Sequence, residues 1–259
     1  MLETVIGLEV HVQLNTKSKI FSYDHNDFGN HPNSDVGAIT LAHPGTLPMV
    51  SKEVIDMGMK LGLALEGRIN RNLIFDRKNY FYPDLPKGYQ ITQDATPICK
   101  GGIVKIRSDD FPHSNIELTK IHLEEDAGKS IHVQNAYFTN VDLNRSGVPL
   151  VEIVTEPVIT SSEQAGLCLI ELRKLVRYLG ISDGNMERGS LRCDANISVR
   201  LSGAPLGSKV EVKNMNSIKN VRKAIDHEIK RQTKMISAGQ TIISETRTYN
   251  PENNTTSGM

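Results

Sequence analysis

Two segments of the chain alternate between apolar and polar residues with the period of two that is typical of a half-buried β-strand. Residues 4–14 and residues 191–200 show this pattern over most of their length. The polar side of the first segment carries Glu9 and His11, whose backbone positions lie about 6.5 to 7 Å apart along a strand. Both side chains are therefore expected on one face, close enough to reach a single ion.

The polar side of residues 191–200 mixes a base, an acid and an amide, which are Arg192, Asp194 and Asn196. A shorter alternation over residues 209–213 places Glu211 and Lys213 on one face. If these faces converge, their carboxylates suit Mg²⁺, and their cationic groups suit the anionic oxygens of a nucleotide. The alternative interpretation is that each polar face is only the solvated side of a half-exposed strand.

Three segments show the period of amphipathic helices. The first covers residues 51–67, and the third covers residues 217–237, with basic side chains that indicate either a solvated face or a docking surface. The second covers residues 161–180 and opens with a capping box at Ser161 and Gln164. Its buried side is expected to carry five apolar residues: Leu167, Ile170, Leu175, Val176 and Leu179.

Further strands are expected near residues 103–107, 116–123 and 151–155. Turn-rich composition predicts loops over residues 78–90 and 250–258, and a short strand is expected at residues 38–41. The order of segments is too irregular for a repeating βαβ pattern, so mostly antiparallel strands with segregated helices predict an α+β fold. Because the last residues read as a polar loop, we expect the natural chain to continue.

Residues 124–126 place three carboxylates in a row directly after a predicted strand. Such a run repels itself unless a positive charge neutralises it, and hard divalent cations prefer carboxylate oxygens. Glu124 and Glu125 are therefore further candidate ligands, whereas Asp126 is expected to order the following turn.

Several familiar catalytic motifs are missing from the sequence. It holds no phosphate-binding Gly-x-x-x-x-Gly-Lys-Ser/Thr loop, no dinucleotide-binding Gly-x-Gly-x-x-Gly, no His-Glu-x-x-His and no Gly-x-Ser-x-Gly. A hydrolase interpretation then depends only on the acidic clusters. Five histidines without ligand-like spacing are expected at the surface: His25, His31, His43, His113 and His132.

Composition limits the class of protein further. The 259 residues include 30 basic and 30 acidic side chains. The resulting net charge of zero argues against a protein that binds nucleic acid through a positive charge over its whole surface. The N-terminus lacks a secretory pattern and no apolar run could span a membrane, so we expect a cytoplasmic protein. Three well-separated cysteines encode neither a disulfide framework nor a cysteine zinc site, and are expected as buried thiols.

Four long motifs occur in a recognisable order, at Gly7 to His11, Lys78 to Asp84, Glu124 to Lys129 and Leu191 to Asn196. With them the chain resembles the GatB/GatE family, which contains the B subunits of aspartyl/glutamyl-tRNA(Asn/Gln) amidotransferases. The resemblance covers nearly the whole chain. It implies an antiparallel-sheet cradle domain resembling the glutamine synthetase catalytic fold.

The resemblance also implies an ATP-dependent ligase. Members phosphorylate the side-chain carboxylate of Glu or Asp mischarged onto tRNA(Gln) or tRNA(Asn), and ammonia that the partner amidase releases from glutamine then displaces the phosphate. A carboxylate is otherwise a poor acceptor for ammonia, because its leaving group would be oxide. ATP and Mg²⁺ are the implied cofactors. The implied partners are the A (amidase) and C subunits of the amidotransferase and mischarged tRNA.

Family roles can be carried onto matching positions of this chain. The implied metal ligands are Glu9, His11, Glu125, Asp194 and Glu211. The implied catalytic residues are Glu125, Glu124 and Lys78, of which Lys78 matches a lysine that faces the acidic run where an ammonia tunnel enters. The implied phosphate or substrate contacts are Arg192, Asn196 and Lys213.

The chain departs from its relatives at several points. Many of them carry zinc-binding cysteine pairs in the segment equivalent to residues 21–41, where this chain has none, so no zinc is expected. Arg188 stands where an acidic residue is common, which leaves the local charge open. Residues 1–259 are expected to form the catalytic cradle domain, C-terminally truncated and without the family's helical and tRNA-binding tail domains.

Other functions remain open from the sequence. One is a free-standing ligase like glutamine synthetase, or a metal-dependent phosphohydrolase acting on a small molecule. Another is a non-enzymatic role in which the basic helix over residues 217–237 docks tRNA or a partner protein. The sequence also leaves open whether Glu-tRNA, Asp-tRNA or both serve as substrate.

Overall fold

A computed structural model of the protein describes residues 1–132 and 136–259. Three helices lie in these ranges: α1 (Lys52–Ala64), α2 (Ser162–Tyr178) and α3 (Ile218–Ser237). The same ranges contain the strands β1 (Leu2–Gln13), β2 (Arg68–Ile69), β3 (Asp76–Asn79), β4 (Tyr89–Thr92), β5 (Cys99–Lys100), β6 (Ile103–Ile106), β7 (Ser114–Glu125), β8 (Lys129–His132), β9 (Thr139–Asp142), β10 (Pro149–Thr155), β11 (Leu191–Leu201), β12 (Val210–Lys213), β13 (Glu245–Asn250) and β14 (Thr255–Gly258).

One large sheet dominates the fold. Its strand order is β14-β13-β12-β11-β1-β10-β7-β5-β2, and β6 also pairs with β7. Neighbouring strands run antiparallel except for the parallel pair β12 and β13. The pairs β3 with β4 and β8 with β9 form two small separate hairpins. A mostly antiparallel sheet with segregated helices confirms the predicted α+β fold.

The three helices cover the apolar face of the large sheet. Ile6, Leu8, Val10 and Val12 on β1 are at most 1% exposed and share one core cluster with apolar residues of all three helices. Full burial of each such side chain contributes about 1.5 to 3 kcal/mol. A Cβ added at Gly58 of α1 would lie 3.0 Å from a methyl group of Leu123 on β7, so this helix approaches the sheet closely. The helical layer leaves the opposite, polar face of the sheet available for chemistry.

Some local predictions are wrong in whole or in part because pairing overrides composition. Residues 38–41 form turns rather than a short strand. The loop predicted over residues 78–90 is confirmed except at its two ends, which belong to the paired strands β3 and β4, whereas β14 pairs with β13 where the predicted polar C-terminal loop lies. In each hairpin, backbone hydrogen bonds between neighbours stabilise polar residues that alternation alone does not assign to strands.

The predicted buried side of helix α2 is confirmed in part, because Val176 is fully buried and Leu167, Leu175 and Leu179 pack partly buried against the core. The buried apolar residues of this helix also include Ala165, Cys168, Leu169 and Leu172, whereas Ile170 is 36% exposed. Small residues occupy the side of α2 that packs closely against α3. A Cβ added at Gly166 would lie only 2.8 Å from the Arg222 side chain of α3. The capping box is confirmed in part, since the Ser161 side chain accepts a hydrogen bond from the Gln164 N–H.

A buried carboxylate joins α3 to the edge of the sheet. Glu228 is fully buried, and its oxygens accept hydrogen bonds from Arg231 (2.7 Å) and Gln232 (2.8 Å). Arg247 of β13 lies 3.8 Å from the same carboxylate. The neighbouring strand residue, Thr246, donates a 2.9 Å hydrogen bond to Glu211 on β12. This network therefore anchors the strand that contacts Glu211.

Among the described residues, no helix combines the length and apolar character that a membrane crossing demands. All three cysteines are buried, as predicted, and the five histidines expected at the surface are exposed.

The buried network generates a stability prediction. Glu228→Gln should lower the free energy of unfolding by about 3 kcal/mol, because two arginines lose their buried counter-charge. Asp226→Asn on the exposed side of the same helix is the matched control and should change it by less than about 0.5 kcal/mol. Urea denaturation followed by circular dichroism measures both. Equal effects of the two substitutions would contradict a buried charge network.

Candidate active site

Strand register brings the polar residues of five neighbouring strands together. Asp194 of β11 lies directly opposite Glu9 of β1. On the other side of β1, Glu152 of β10 lies opposite His11, and His122 of β7 lies opposite Glu152. Directly opposed residues share a face of a sheet, so these side chains form a continuous polar row across the sheet.

The first cluster in this row consists of Glu9, Asp194 and Glu211, whose candidate ligand oxygens all lie within 4.8 Å of one another. The Asn196 amide donates to Glu9 at 2.8 Å. The Lys213 Nζ lies 2.7 Å from an Asp194 oxygen and 3.0 Å from a Glu211 oxygen. One lysine thus contacts two of the three carboxylates, and the cluster retains an excess of negative charge.

The pKa values in the first cluster reflect this pairing. Burial alone would lower the pKa of Lys213, but Asp194 and Glu211 raise it above its usual value. Burial alone would raise the pKa of Glu211, but hydrogen bonds from Lys213 and Thr246 hold it below its usual value. The Asn196 Oδ1 is buried and has no hydrogen-bond partner among the described residues, so it can accept a bond from a ligand or ligate a cation.

The second cluster consists of His11, Glu124 and Glu152, whose candidate ligand atoms also lie within 4.8 Å of one another. The His11 Nε2 lies 3.3 Å from a Glu152 oxygen and 3.8 Å from a Glu124 oxygen. His122 contacts the same two carboxylates at 3.0 Å and 3.7 Å. Two imidazoles thus face two buried carboxylates.

Charge pairing overcomes burial in the second cluster. Burial would lower the pKa of His122, but Glu124 and Glu152 raise it to about 9. The pKa of His11 is raised for the same reason, with Glu152 as the main partner opposing the effect of burial. The two histidines hold the pKa of Glu152 far below its usual value although burial opposes this. The two carboxylates therefore favour the protonated form of each imidazole, and that form offsets their negative charge.

Both clusters fit divalent cations by their donor chemistry. The first offers three carboxylates, with the Asn196 amide oxygen beside them, and an all-oxygen set suits Mg²⁺. The second offers two carboxylates and an imidazole nitrogen, a set that binds a cation once the histidine is neutral. Of the predicted ligands, Glu9, Asp194 and Glu211 come together, and His11 lies in the second cluster with Glu124.

Glu125 lies outside both clusters. Alternation along β7 places Glu124 on the polar face and Glu125 on the side of the core residue Leu123. Lys87 contacts the Glu125 carboxylate at 2.7 Å, and the backbone N–H of Ile91 donates to it at 2.8 Å. Burial raises the pKa of Glu125 despite the nearby lysine. The predicted ligand and catalytic roles of Glu125 stay predictions, and this position gives no support to the ligand role.

Lys78 is an exposed residue of the β3–β4 hairpin, and its Nζ lies 5.8 Å from the centre of the Tyr80 ring. Its strand partner is Gln90, which donates a 2.7 Å hydrogen bond to the backbone carbonyl of Glu125. Lys78 is therefore next to the segment that holds Glu125 rather than in either carboxylate cluster.

That Asp126 orders the following turn stays a prediction: the Arg145 Nε, which lies 3.8 Å from the Asp126 carboxylate, donates to the backbone carbonyl of Ala127 in this turn. The buried Asp126 carboxylate lies 3.1 Å from the Arg192 guanidinium and accepts a 2.9 Å hydrogen bond from Gln13. Burial would raise the pKa of Asp126, but Arg192 and Arg145 lower it. Arg192 is thereby positioned at the end of the second cluster, with about a third of its side chain exposed.

Sequence reasoning missed Glu152, His122 and Lys87. Glu152 and His122 both lay within predicted strands, next to the buried residues Ile153 and Ile121, so alternation could have assigned them to the polar face. Lys87 carried no comparable signal, because its position next to Glu125 depends on the β3–β4 hairpin.

The structure thus defines the class of protein: an α+β domain that carries two carboxylate clusters on one face of its large sheet. The model of the family described as the GatB/GatE catalytic domain matches residues 4–259, and the chain belongs to this family.

Similar relatives include the aspartyl/glutamyl-tRNA(Asn/Gln) amidotransferase B subunits of two Rickettsia species. The chain is 50% identical to that of Rickettsia typhi over 257 residues, 99% of this chain and 53% of the relative. It is 50% identical to that of Rickettsia canadensis over 254 residues, 98% of this chain and 53% of the relative. The chain thus spans about half the length of the curated relatives it matches.

The second cluster generates a pH prediction. The raised pKa of His122 means that its contribution to stability is fully present below about pH 6.5 and is lost as pH rises to about 9. Without divalent cations, the free energy of unfolding of the wild-type protein should exceed that of His122→Gln by about 3 kcal/mol at pH 6. This difference should be lost by pH 9. Urea denaturation at a series of pH values measures this difference. Exposed His113→Gln is the control, and a pH-independent difference for His122→Gln would contradict the pairing.

Proposed function

We propose that this chain forms the catalytic part of a B subunit that amidates mischarged Glu-tRNA(Gln), Asp-tRNA(Asn) or both. The two Rickettsia relatives bear the name of this enzyme, and the chain shares half of its residues with them. The observation that carries the proposal is the pair of adjacent carboxylate clusters on one sheet face. They offer two neighbouring places for the phosphates of ATP and for an acceptor carboxylate.

The chemistry explains why such a site is needed. Ammonia cannot displace oxide from a carboxylate, so the side chain is first phosphorylated by ATP and phosphate becomes the leaving group. Phosphoryl transfer depends mainly on positioning and on neutralising charge. Mg²⁺, when bound, offsets the repulsion between ATP and the incoming carboxylate. In this chain, Glu9, Asp194 and Glu211 would hold one ion, and His11, Glu124 and Glu152 would hold a second.

Individual residues can then be given roles. Lys213 and Asn196 lie at the first cluster, so we assign them to the phosphates of ATP. Arg192 lies on β11 directly opposite His11, so we assign it to the acceptor carboxylate or the transferred phosphoryl group. Glu124 contacts both histidines and would set their orientation.

The region around Glu125 supports a separate role. Glu125 is the last residue of β7, and Lys87 and the hairpin that carries Lys78 contact it from the side away from the polar face. We assign this region to the entry of ammonia, which must arrive uncharged to attack. The implied partners are the amidase as the ammonia source, which is the A subunit, together with the C subunit and the mischarged tRNA. The cradle likeness to glutamine synthetase and a cytoplasmic location are parts of the same proposal.

The reaction itself is tested with the complete chain assembled with its partner subunits. ATP hydrolysis and amide formation should depend on mischarged tRNA, because the acceptor is an esterified amino acid. Activity on free glutamate without tRNA would instead identify a free-standing ligase. ATP hydrolysis without any acceptor would identify a phosphohydrolase.

The carboxylate clusters make a sharper prediction. Asp194→Asn should raise the Mg²⁺ concentration needed for ATP-dependent phosphorylation by more than about tenfold, which is about 1.4 kcal/mol of binding free energy, because one ligand charge of the first cluster is lost. Glu125→Gln should leave that Mg²⁺ requirement unchanged, because its carboxylate faces the other side of the sheet. Titrating Mg²⁺ in a phosphorylation assay with both variants decides which carboxylates serve as ligands. The reverse result would restore Glu125 as a ligand.

A further inference from the structure

A cavity of about 430 Å³ continues the polar row beyond its second cluster. Gln13 forms the shared wall, because it lines the cavity and donates to Asp126, which contacts Arg192. It is the next residue after His11 on the same face of β1, about 6.6 Å further along the strand. A ligand in the cavity therefore lies against Gln13, the neighbour of His11 on this face of the strand.

The charged residues of the cavity cancel one another. Three acids and three bases line it: Asp27, Asp142, Asp183, Lys129, Arg145 and Arg188. The Arg145 guanidinium is already occupied by the backbone carbonyls of Ala127 and Gly128. Because a polyphosphate would need an excess of positive charge, the lining suits a polar ligand without net charge, and the volume falls in the usual range for small-molecule sites.

An exposed aromatic ring stands at this cavity. Phe28 is 76% exposed, and the Arg188 guanidinium lies 5.4 Å from the centre of its ring. Single-stranded nucleic acids are bound by stacking of bases on exposed aromatic rings and on arginine planes. The side chains of Asn15 and Asp27 also line the cavity and make no hydrogen bond with any part of the chain that the structure describes, so both can contact a base or ribose.

We propose that this cavity binds the 3′-terminal nucleoside of the aminoacylated RNA, with the base against Phe28. This inference rests on the proposed function. The ester-linked amino acid then extends from the ribose past Gln13, and its side-chain carboxylate reaches His11 and Arg192. The ATP phosphates occupy the opposite end of the row, so the two substrates approach the second cluster from different sides.

Kinetics of the assembled amidotransferase test the proposal. Phe28→Ala should raise KM for mischarged tRNA by about tenfold through lost stacking and leave KM for ATP unchanged. Phe28→Tyr should restore the wild-type KM, because it keeps an aromatic surface. Tyr23→Ala is the matched control, since this exposed aromatic does not line the cavity. A rise in KM for ATP, equal effects of the two alanine variants, or no effect on either KM would overturn the proposal.

A small probe separates this inference from the proposed reaction. The probe is adenosine that carries glutamate on its 3′ position through a stable amide. Its binding is measured without turnover, by saturation-transfer NMR with the assembled protein, and it should weaken about tenfold in Phe28→Ala and remain unaffected by saturating ATP. Displacement by ATP, or equal binding to wild type and Phe28→Ala, would overturn the nucleoside site. Absence of amidation by the wild-type enzyme, with binding intact, would instead reject only the proposed function.

Discussion

The pairing of β1 with both of its neighbours is the constraint on which the site depends. This strand is hydrogen-bonded to β10 on one side and β11 on the other, and its alternation sends every second residue into a dry core. A shift of one residue in either register would turn all polar side chains of that strand toward the core. The apolar face therefore specifies which residues meet on the polar face, and it positions Glu9 and His11 without any contribution from their own chemistry.

Charge balance is the second constraint, and it follows from the first. Register brings carboxylates and histidines of five strands close together on a partly buried surface. The protein offsets their negative charge in two different ways, with Lys213 in the first cluster and with two imidazoles of raised pKa in the second. A lysine and a proton are both groups that a divalent cation can replace. The proposed function uses this property, because a metal ion with its phosphates would take the place of these positive charges.

The two sides of the sheet have separate tasks in this arrangement. The proposed function assigns phosphoryl chemistry to the polar face, whereas Glu125, Lys87 and the β3–β4 hairpin form a group on the side of the core. One strand, β7, contributes to both, because consecutive residues of a strand point in opposite directions. Two adjacent glutamates can thus serve different steps of one reaction. The buried Glu228 network on α3 supports the far edge, where Thr246 contacts Glu211.

Much of this protein is determined by local pattern in the sequence. Alternation identified the strands that carry Glu9, His11, Arg192, Asp194 and Asn196 and assigned their faces, because a period of two is a property of the backbone alone. The motifs at these strands also indicated the family. Tertiary structure decided the grouping. It separated His11 from Glu9 into different clusters, added Glu152 and His122, and turned Glu125 toward Lys87, because cross-strand register and the covering hairpin join residues far apart in the chain. Local patterns carry no information on which strands become neighbours, and that choice determined which carboxylates meet.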